Sequence, residues 1–161
     1  MKYIPLTQGK QAIVDDEDYP ELIKHKWYYK VNRKVYPGYA IRAYYIGKKQ
    51  KVIRMHRFLL KISGKERGDH RNGNTLDNRK ENLRICTQGD NTRNSVKRKD
   101  TDNIYKGIHF VKNRNKWIAR IQFNYKRIHS GYFNNPEDAA QKYNEMAKKY
   151  FGEFARFNNT S

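Results

Sequence analysis

Residues 98–103, Arg98-Lys99-Asp100-Thr101-Asp102-Asn103, hold no large apolar side chain. A stretch with nothing to bury does not run through a hydrophobic core, so it reads as a polar linker. It divides the chain into residues 1–97 and 104–161. The second segment lies near the lower size for independent folding, and neither segment can build a large core. Each must be a small body of short elements. Both mix strand-like alternation with helical periodicity, so the expected class is α+β: strands with a small strand–loop–strand–helix centre, then a three-stranded antiparallel sheet packed on one helix.

The second segment is the easier to read. Three strand-like runs, 106–111, 116–123 and 127–133, are separated by the turn groups Asn113-Arg114-Asn115 and Asn124-Tyr125-Lys126. A helix follows, with Asn135 as cap, Pro136 at its first position and Glu137 and Asp138 in its first turn. Ala139, Ala140, Tyr143, Ala147, Tyr150 and Phe151 recur at three- and four-residue steps, which gives one apolar stripe, and Gly152 ends it. Alternation places Trp117, Ala119, Ile121 and Phe123 toward that stripe, with Ile118, Arg120 and Gln122 on the other face.

In the first segment, residues 12–14, 39–44 and 51–54 read as strands. A short helix follows Asp18-Tyr19-Pro20-Glu21, and Met55 to Leu60 suggests a second. Gly, Asn, Asp and Arg then dominate from Gly64 to Asn82, where Asn72-Gly73 marks a tight turn. Residues 82–86 form a strand, and Thr87 with Asp90 is placed to make a capping box at the start of a helix.

Charge decides the class of partner. Lys and Arg number 35 against 16 acids, a net charge of +19. The excess is spread over the chain: 20 basic against 10 acidic residues in 1–91, four against two in 92–103 and 11 against four in 104–161. Two basic bodies with a basic connector fit a polyanion that runs past both. No apolar stretch nears the roughly 18 residues of a membrane span. The opening residues lack a signal-peptide core, so a cytoplasmic protein is expected. Cys86 is the only cysteine, which excludes an intramolecular disulfide and a cysteine-rich zinc site.

The residues with reactive potential cluster in 69–91. Asp69 and His70 are adjacent on an extended segment, so their side chains point to opposite sides and do separate jobs. A hard divalent cation such as Mg²⁺, with Mn²⁺ as an alternative, takes oxygen ligands and needs few from the protein. Asp69 and the amide oxygen of Asn91 are candidates. An imidazole with an ordinary pKa, at His70, suits removal of a proton from an attacking water.

The run D-H-R-N-G-N-T-L-D-N-R-K-E-N-L-R-I-C-T-Q-G-D-N, from Asp69 to Asn91, resembles the HNH homing endonucleases, whose active site is the ββα-metal fold or His-Me finger. The resemblance covers at least residues 53–94, including Met55-His56-Arg57. It implies His70 as general base, Asp69 and Asn91 as metal ligands, and Asn82 as the middle asparagine, which tethers the loop and helps to hold the histidine. It also implies 5′-phosphate and 3′-hydroxyl products. His56 reads as structural or as a phosphate contact, and His25 as surface.

A second resemblance lies downstream. Y-K-G-I-H-F at 105–110, K-W-I-A-R-I at 116–121 and G-Y-F-N-N-P-E-D-A-A at 131–140 are similar to the APETALA2/ethylene-response-factor DNA-binding domain, over about 105–158. Its DNA-contact positions fall on Lys106, His109, Arg120, Gln122, Arg127 and His129. His109, Val111, Arg120 and His129 depart from the common pattern, so the family's usual target sequence does not carry over.

The expected function is a site-selective, homing-type endonuclease that acts on double-stranded DNA with one divalent metal and no organic cofactor. A DNA-binding regulator with an inactive nuclease fold is the alternative. An RNA-binding protein is the third reading, although the chain lacks the aromatic motif of RNA-recognition domains.

Overall fold

The structure, a computed structural model, describes residues 1–31, 37–62, 64–95 and 104–160. The expected linker at 98–103 falls outside the described residues. The chain divides into two compact units, Met1–Asn91 and Thr92–Ser161. Both mix helix with antiparallel sheet, so the class is α+β.

The first unit opens with a hairpin of β1 (Lys2–Pro5) and β2 (Gln11–Val14). Gln8 and Gly9 hold positive φ at its turn. Helix α1 (Tyr19–Leu22) follows, with Pro20 in its first turn. A three-stranded sheet comes next, in the order β3 (Tyr28–Lys30), β4 (Tyr39–Ile46), β5 (Lys49–Arg54). Helix α2 (Met55–Leu59) continues directly from β5. The core gathers Ile4, Leu6, Ala12, Val14, Leu22, Trp27, Ala40 and Met55. Leu22 and Met55 are fully enclosed, and burial of one such side chain is worth roughly 1.5–3 kcal/mol. The Trp27 indole donates to the Leu22 carbonyl at 2.9 Å, so its one polar atom is satisfied. The Arg42 guanidinium lies 4.8 Å above the Phe58 ring and closes one side of this cluster.

The remaining elements of this part are β6 (Arg67–His70) and β7 (Leu83–Cys86), an antiparallel pair, and helix α3 (Gln88–Asn94). The capping box forms at the start of α3: Thr87 Oγ1 accepts from the Asp90 amide, and the Asp90 carboxylate accepts from the Thr87 amide, each at 3.2 Å.

The second unit is a sheet in the order β10 (Lys126–His129), β9 (Lys116–Phe123), β8 (Ile108–Val111), with α4 (Pro136–Phe151) across one face. Asn135 caps α4 by accepting from the Asp138 amide at 2.8 Å, and Gly152 ends it at φ 54°. Ile108, Ala119 and Ile121 pack against Ala139, Ala140, Tyr143, Ala147 and Phe151. Gly107 is required where the chain enters β8: its φ is +72°, and a Cβ there would lie 2.3 Å from the Tyr143 ring. The third strand is shorter than its alternation suggests. After His129 the ladder is only half made: the Ser130 amide donates to the Ala119 carbonyl at 2.9 Å, but the Ala119 amide goes to the Ser130 hydroxyl, and full pairing returns as a Trp117–Phe133 bridge.

Candidate active site

Ladder register sets the geometry of the reactive residues. Asp69 stands opposite Arg84 and His70 opposite Leu83, so the two side chains leave β6 on opposite faces. On one face, Asp69 Oδ2 accepts from Arg84 Nε at 3.0 Å and Nη2 at 2.8 Å, and both residues are buried. The two guanidinium donors converge on Oδ2 and hold that oxygen in place.

The other face holds His70, which is 5% exposed. Its Nε2 lies 3.4 Å from Asn78 Oδ1. Asn78 is oriented by its own Nδ2, which donates to the Leu76 carbonyl at 3.1 Å, so the oxygen faces the imidazole. In the tautomer protonated at Nε2, the ring donates to Asn78 Oδ1. Burial lowers the His70 pKa. The Asn78 contact and the charges of Asp69 and Asp77 oppose that shift without cancelling it. The ring is therefore neutral at neutral pH.

The loop between β6 and β7 is built from its own polar side chains. Asn82 Oδ1 accepts from the Asn72 amide at 3.0 Å, and Asn82 Nδ2 donates to the Asp77 carbonyl at 2.7 Å, so one buried side chain closes the loop. Asp77 receives two bonds from the Arg79 guanidinium, both at 2.8 Å, which hold its carboxyl below the usual carboxylate range. The loop is also sewn to β2. Ile13 donates its amide to the Leu76 carbonyl, and its carbonyl accepts from the Asn78 amide, both at 2.8 Å.

Two aromatic rings flank His70. The His56 ring meets it edge-on at 4.9 Å, and Tyr39 lies 5.6 Å from His56 and 6.3 Å from His70. Gly68 makes room for His56, because a Cβ there would sit 2.6 Å from the His56 ring. Burial, then the charge of His70, pushes the His56 pKa down to about 2. His56 is thus a neutral packing partner of His70. His25 is half-buried and packs edge-on to Phe58.

Asn91 sits in the first turns of α3, where its amide donates to the Thr87 carbonyl at 3.1 Å. The Cys86 thiol, pushed up to about 11, feels burial first and then the carboxylates of Asp69 and Asp90, so β6 and the start of α3 flank the same sulfur. No group of three or more His, Cys, Asp or Glu fit to hold a metal occurs among the described residues. The donor set that remains, one carboxylate and one amide, is hard oxygen chemistry. It fits a cation that keeps most of its water or takes phosphate oxygens, and does not fit a zinc-type cage.

In the second unit, His109, Arg120, Gln122, Arg127 and His129 share the sheet face opposite α4, with Arg120 opposite His129 and Gln122 opposite Arg127. Lys106 departs from expectation. It precedes β8, and its ammonium donates to the carbonyls of Arg93 and Ser95 at 2.5 and 2.6 Å, half-buried, with its pKa lowered to about 8 by burial. Backbone oxygens take up two of its three ammonium donors, and it lies before β8, outside the sheet-face pairing.

Sequence reasoning missed three partners at this site. Asn78 carried no signal among so many turn-forming asparagines. Arg84 was recoverable, because a pairing of His70 with Leu83 forces Asp69 opposite Arg84, a favourable cross-strand charge pair. The contact of His56 with His70 depends on long-range packing.

Among known proteins, the chain is similar to an uncharacterized HNH endonuclease, L560, of Acanthamoeba polyphaga mimivirus. The two are 34% identical over 154 residues, covering 92% of this chain and 74% of that protein. No family model matches the chain, and no solved structure matches it.

Proposed function

The chain belongs to the HNH endonuclease family, and from that membership we propose that it is a site-selective, homing-type enzyme that hydrolyses phosphodiester bonds in double-stranded DNA. The observation that carries this reading is His70: a buried, neutral imidazole whose Nε2 faces Asn78 Oδ1. Nδ1 takes a proton from water, the resulting hydroxide attacks phosphorus, and the bond to the 3′ oxygen breaks as that oxygen takes a proton from solvent. The ends are then 5′-phosphate and 3′-hydroxyl. Asn78 orients the ring, while Asn82 keeps the loop closed beneath it. Asp69 and the Asn91 amide would hold one Mg²⁺ or Mn²⁺, which supplies positive charge to the phosphate as negative charge builds there. Arg84 fixes the Asp69 carboxylate for that task.

Residues from about 105 to 158 act in this reading as an APETALA2/ethylene-response-factor-like module that binds DNA through His109, Arg120, Gln122, Arg127 and His129. Arg and Gln on a narrow strand ribbon suit base edges in the major groove. Two modules on one chain raise each other's effective concentration on a long site.

One observation favours the alternative, a DNA-binding regulator with an inactive nuclease fold: Arg84 already occupies an oxygen of Asp69. Incubation with a random-site duplex library and Mg²⁺ or Mn²⁺, followed by sequencing of the ends, separates the two. The endonuclease gives recurrent sites with 5′-phosphate ends. Retention on DNA without strand breaks in either ion selects the regulator.

A further inference from the structure

One face of the β3–β4–β5 sheet packs on the core through Tyr29 and Ala40, with Arg42 above Phe58. A groove of about 460 Å³ runs mainly along the opposite face, and Tyr44 and Ile53, in register with the core-side face, also contribute to its lining. Cross-strand pairing puts Lys30 beside Tyr39, Arg54 beside Ile41 and Val52 beside Ala43, all on that open face. Arg57, from α2, lines the same groove, anchored through one guanidinium nitrogen to the Glu66 carbonyl at 2.9 Å. The lining therefore joins a floor of Tyr39, Ile41 and Val52 to three cations from three elements, and no carboxylate is among the described lining residues.

The groove leads to the reactive residues. The Arg54 guanidinium lies 4.6 Å above the Tyr39 ring, and that ring lies 6.3 Å from His70. It is on the imidazole side of β6, the side away from the Asp69–Arg84 pair.

We infer that this groove seats the stretch of DNA strand flanking the phosphate to be cut, with its sugars on the Tyr39–Ile41–Val52 floor and its phosphates toward Lys30, Arg54 and Arg57. The inference rests on the endonuclease reading for the identity of the strand. Three features favour a nucleic-acid backbone over an acidic peptide. The cations are spaced over separate elements, as a charged backbone running across them requires. The floor is apolar enough to take sugar faces. The groove's lining includes Tyr39, whose ring lies 6.3 Å from that of His70. Binding of this kind displaces counterions, so each phosphate contact adds roughly 0.9 to the slope of log affinity against log salt.

The test is equilibrium binding of the full chain to a fluorescent duplex of mixed sequence, titrated over a salt series in EDTA so that no cleavage intervenes. Lys30→Gln combined with Arg57→Gln should weaken binding and lower the salt slope by about 2, one unit per cation removed. Lys2→Gln with Lys10→Gln removes the same formal charge from the opening hairpin and should lower the slope by clearly less. Val52→Trp keeps every charge but obstructs the floor. Val52 is 54% exposed, so the larger ring does not enter the core, and this variant should also bind more weakly. Wild-type affinity in Val52→Trp, or a slope for the groove pair no lower than that of the hairpin pair, overturns the inference. Because the assay needs no turnover, its outcome is separable from the enzyme reading. Weakened groove variants of a protein that never cuts retire the nuclease and keep the groove. A cutting wild type with unweakened variants does the reverse.

Discussion

Among the described residues, every buried polar or charged side chain except Asn94 lies before residue 92: His56, Asp69, His70, Thr75, Asp77, Asn78, Asn82 and Arg84. The interior of Thr92–Ser161 is instead Ile, Ala, Met, Phe and one Tyr, and its polar side chains line the sheet face opposite α4. The contrast matches what the proposed function asks of each unit. Burying a polar group costs stability unless it is partnered, so a small fold that encloses so many must connect them, as the loop from Asn72 to Asn82 does. The return is a set of groups held in place before substrate arrives. A surface that reads DNA has the opposite need: its donors must remain open and rest on a frame that does not depend on them.

The largest expected effect is on chemistry alone. His70→Ala should lower the single-turnover cleavage rate by about 10²- to 10⁴-fold, with DNA affinity within twofold of wild type. A variant that cuts normally breaks the assignment of the buried polar cluster to catalysis. Next is Asn82→Ala, which strands the Asn72 amide and the Asp77 carbonyl and should cost about 2–3 kcal/mol in urea unfolding. A cost below about 0.5 kcal/mol would show that the loop is not held from within.

Acid provides a third comparison. His56 is held at about 2 when folded against an ordinary value of 6.5. The unfolded chain therefore takes up this proton first, and stability is full above pH 6.5 and declines below it. The decline attributable to His56 is about 1.4 kcal/mol per pH unit. His56→Gln should flatten the fall in urea midpoint as the pH drops below 6.5, within the window that runs down to about 2. An unchanged slope would mean that His56 is not buried neutral.

The smallest effect belongs to the exposed face. Arg120→Gln and Arg127→Gln should each reduce the salt slope of DNA binding by about 1 and shift stability by less than about 0.5 kcal/mol. A large loss of stability from Arg127→Gln would mean that the face is structural.

What the sequence disclosed follows the same division. Local chemistry was legible. Asn135-Pro136 marked the start of α4, Thr87 and Asp90 marked α3, and alternation from Lys116 to Phe123 placed each residue of β9 on its face. Strands β1 and β3 were not foreseen, because each is four residues or fewer and is stabilised by a partner distant in sequence or across a turn. Lys106 was misplaced for a related reason: nothing in Tyr105-Lys106-Gly107 shows that the carbonyls of Arg93 and Ser95 lie within its reach. Likewise, the seat of His70 depends on Ile13 and Asn78, which are 57 and eight positions away along the chain.

Because Ile13 both gives and accepts a backbone bond at the loop carrying Asn78, the opening hairpin is not a detachable module. Recombination that exchanged the first fifteen residues for another sequence would have to preserve the edge of β2 residue for residue. Side chains there can drift, since main-chain atoms make the bonds, but an insertion or deletion within Gln11–Val14 would shift the histidine's support out of register. Over evolutionary time, that strand should tolerate substitution and resist changes in length.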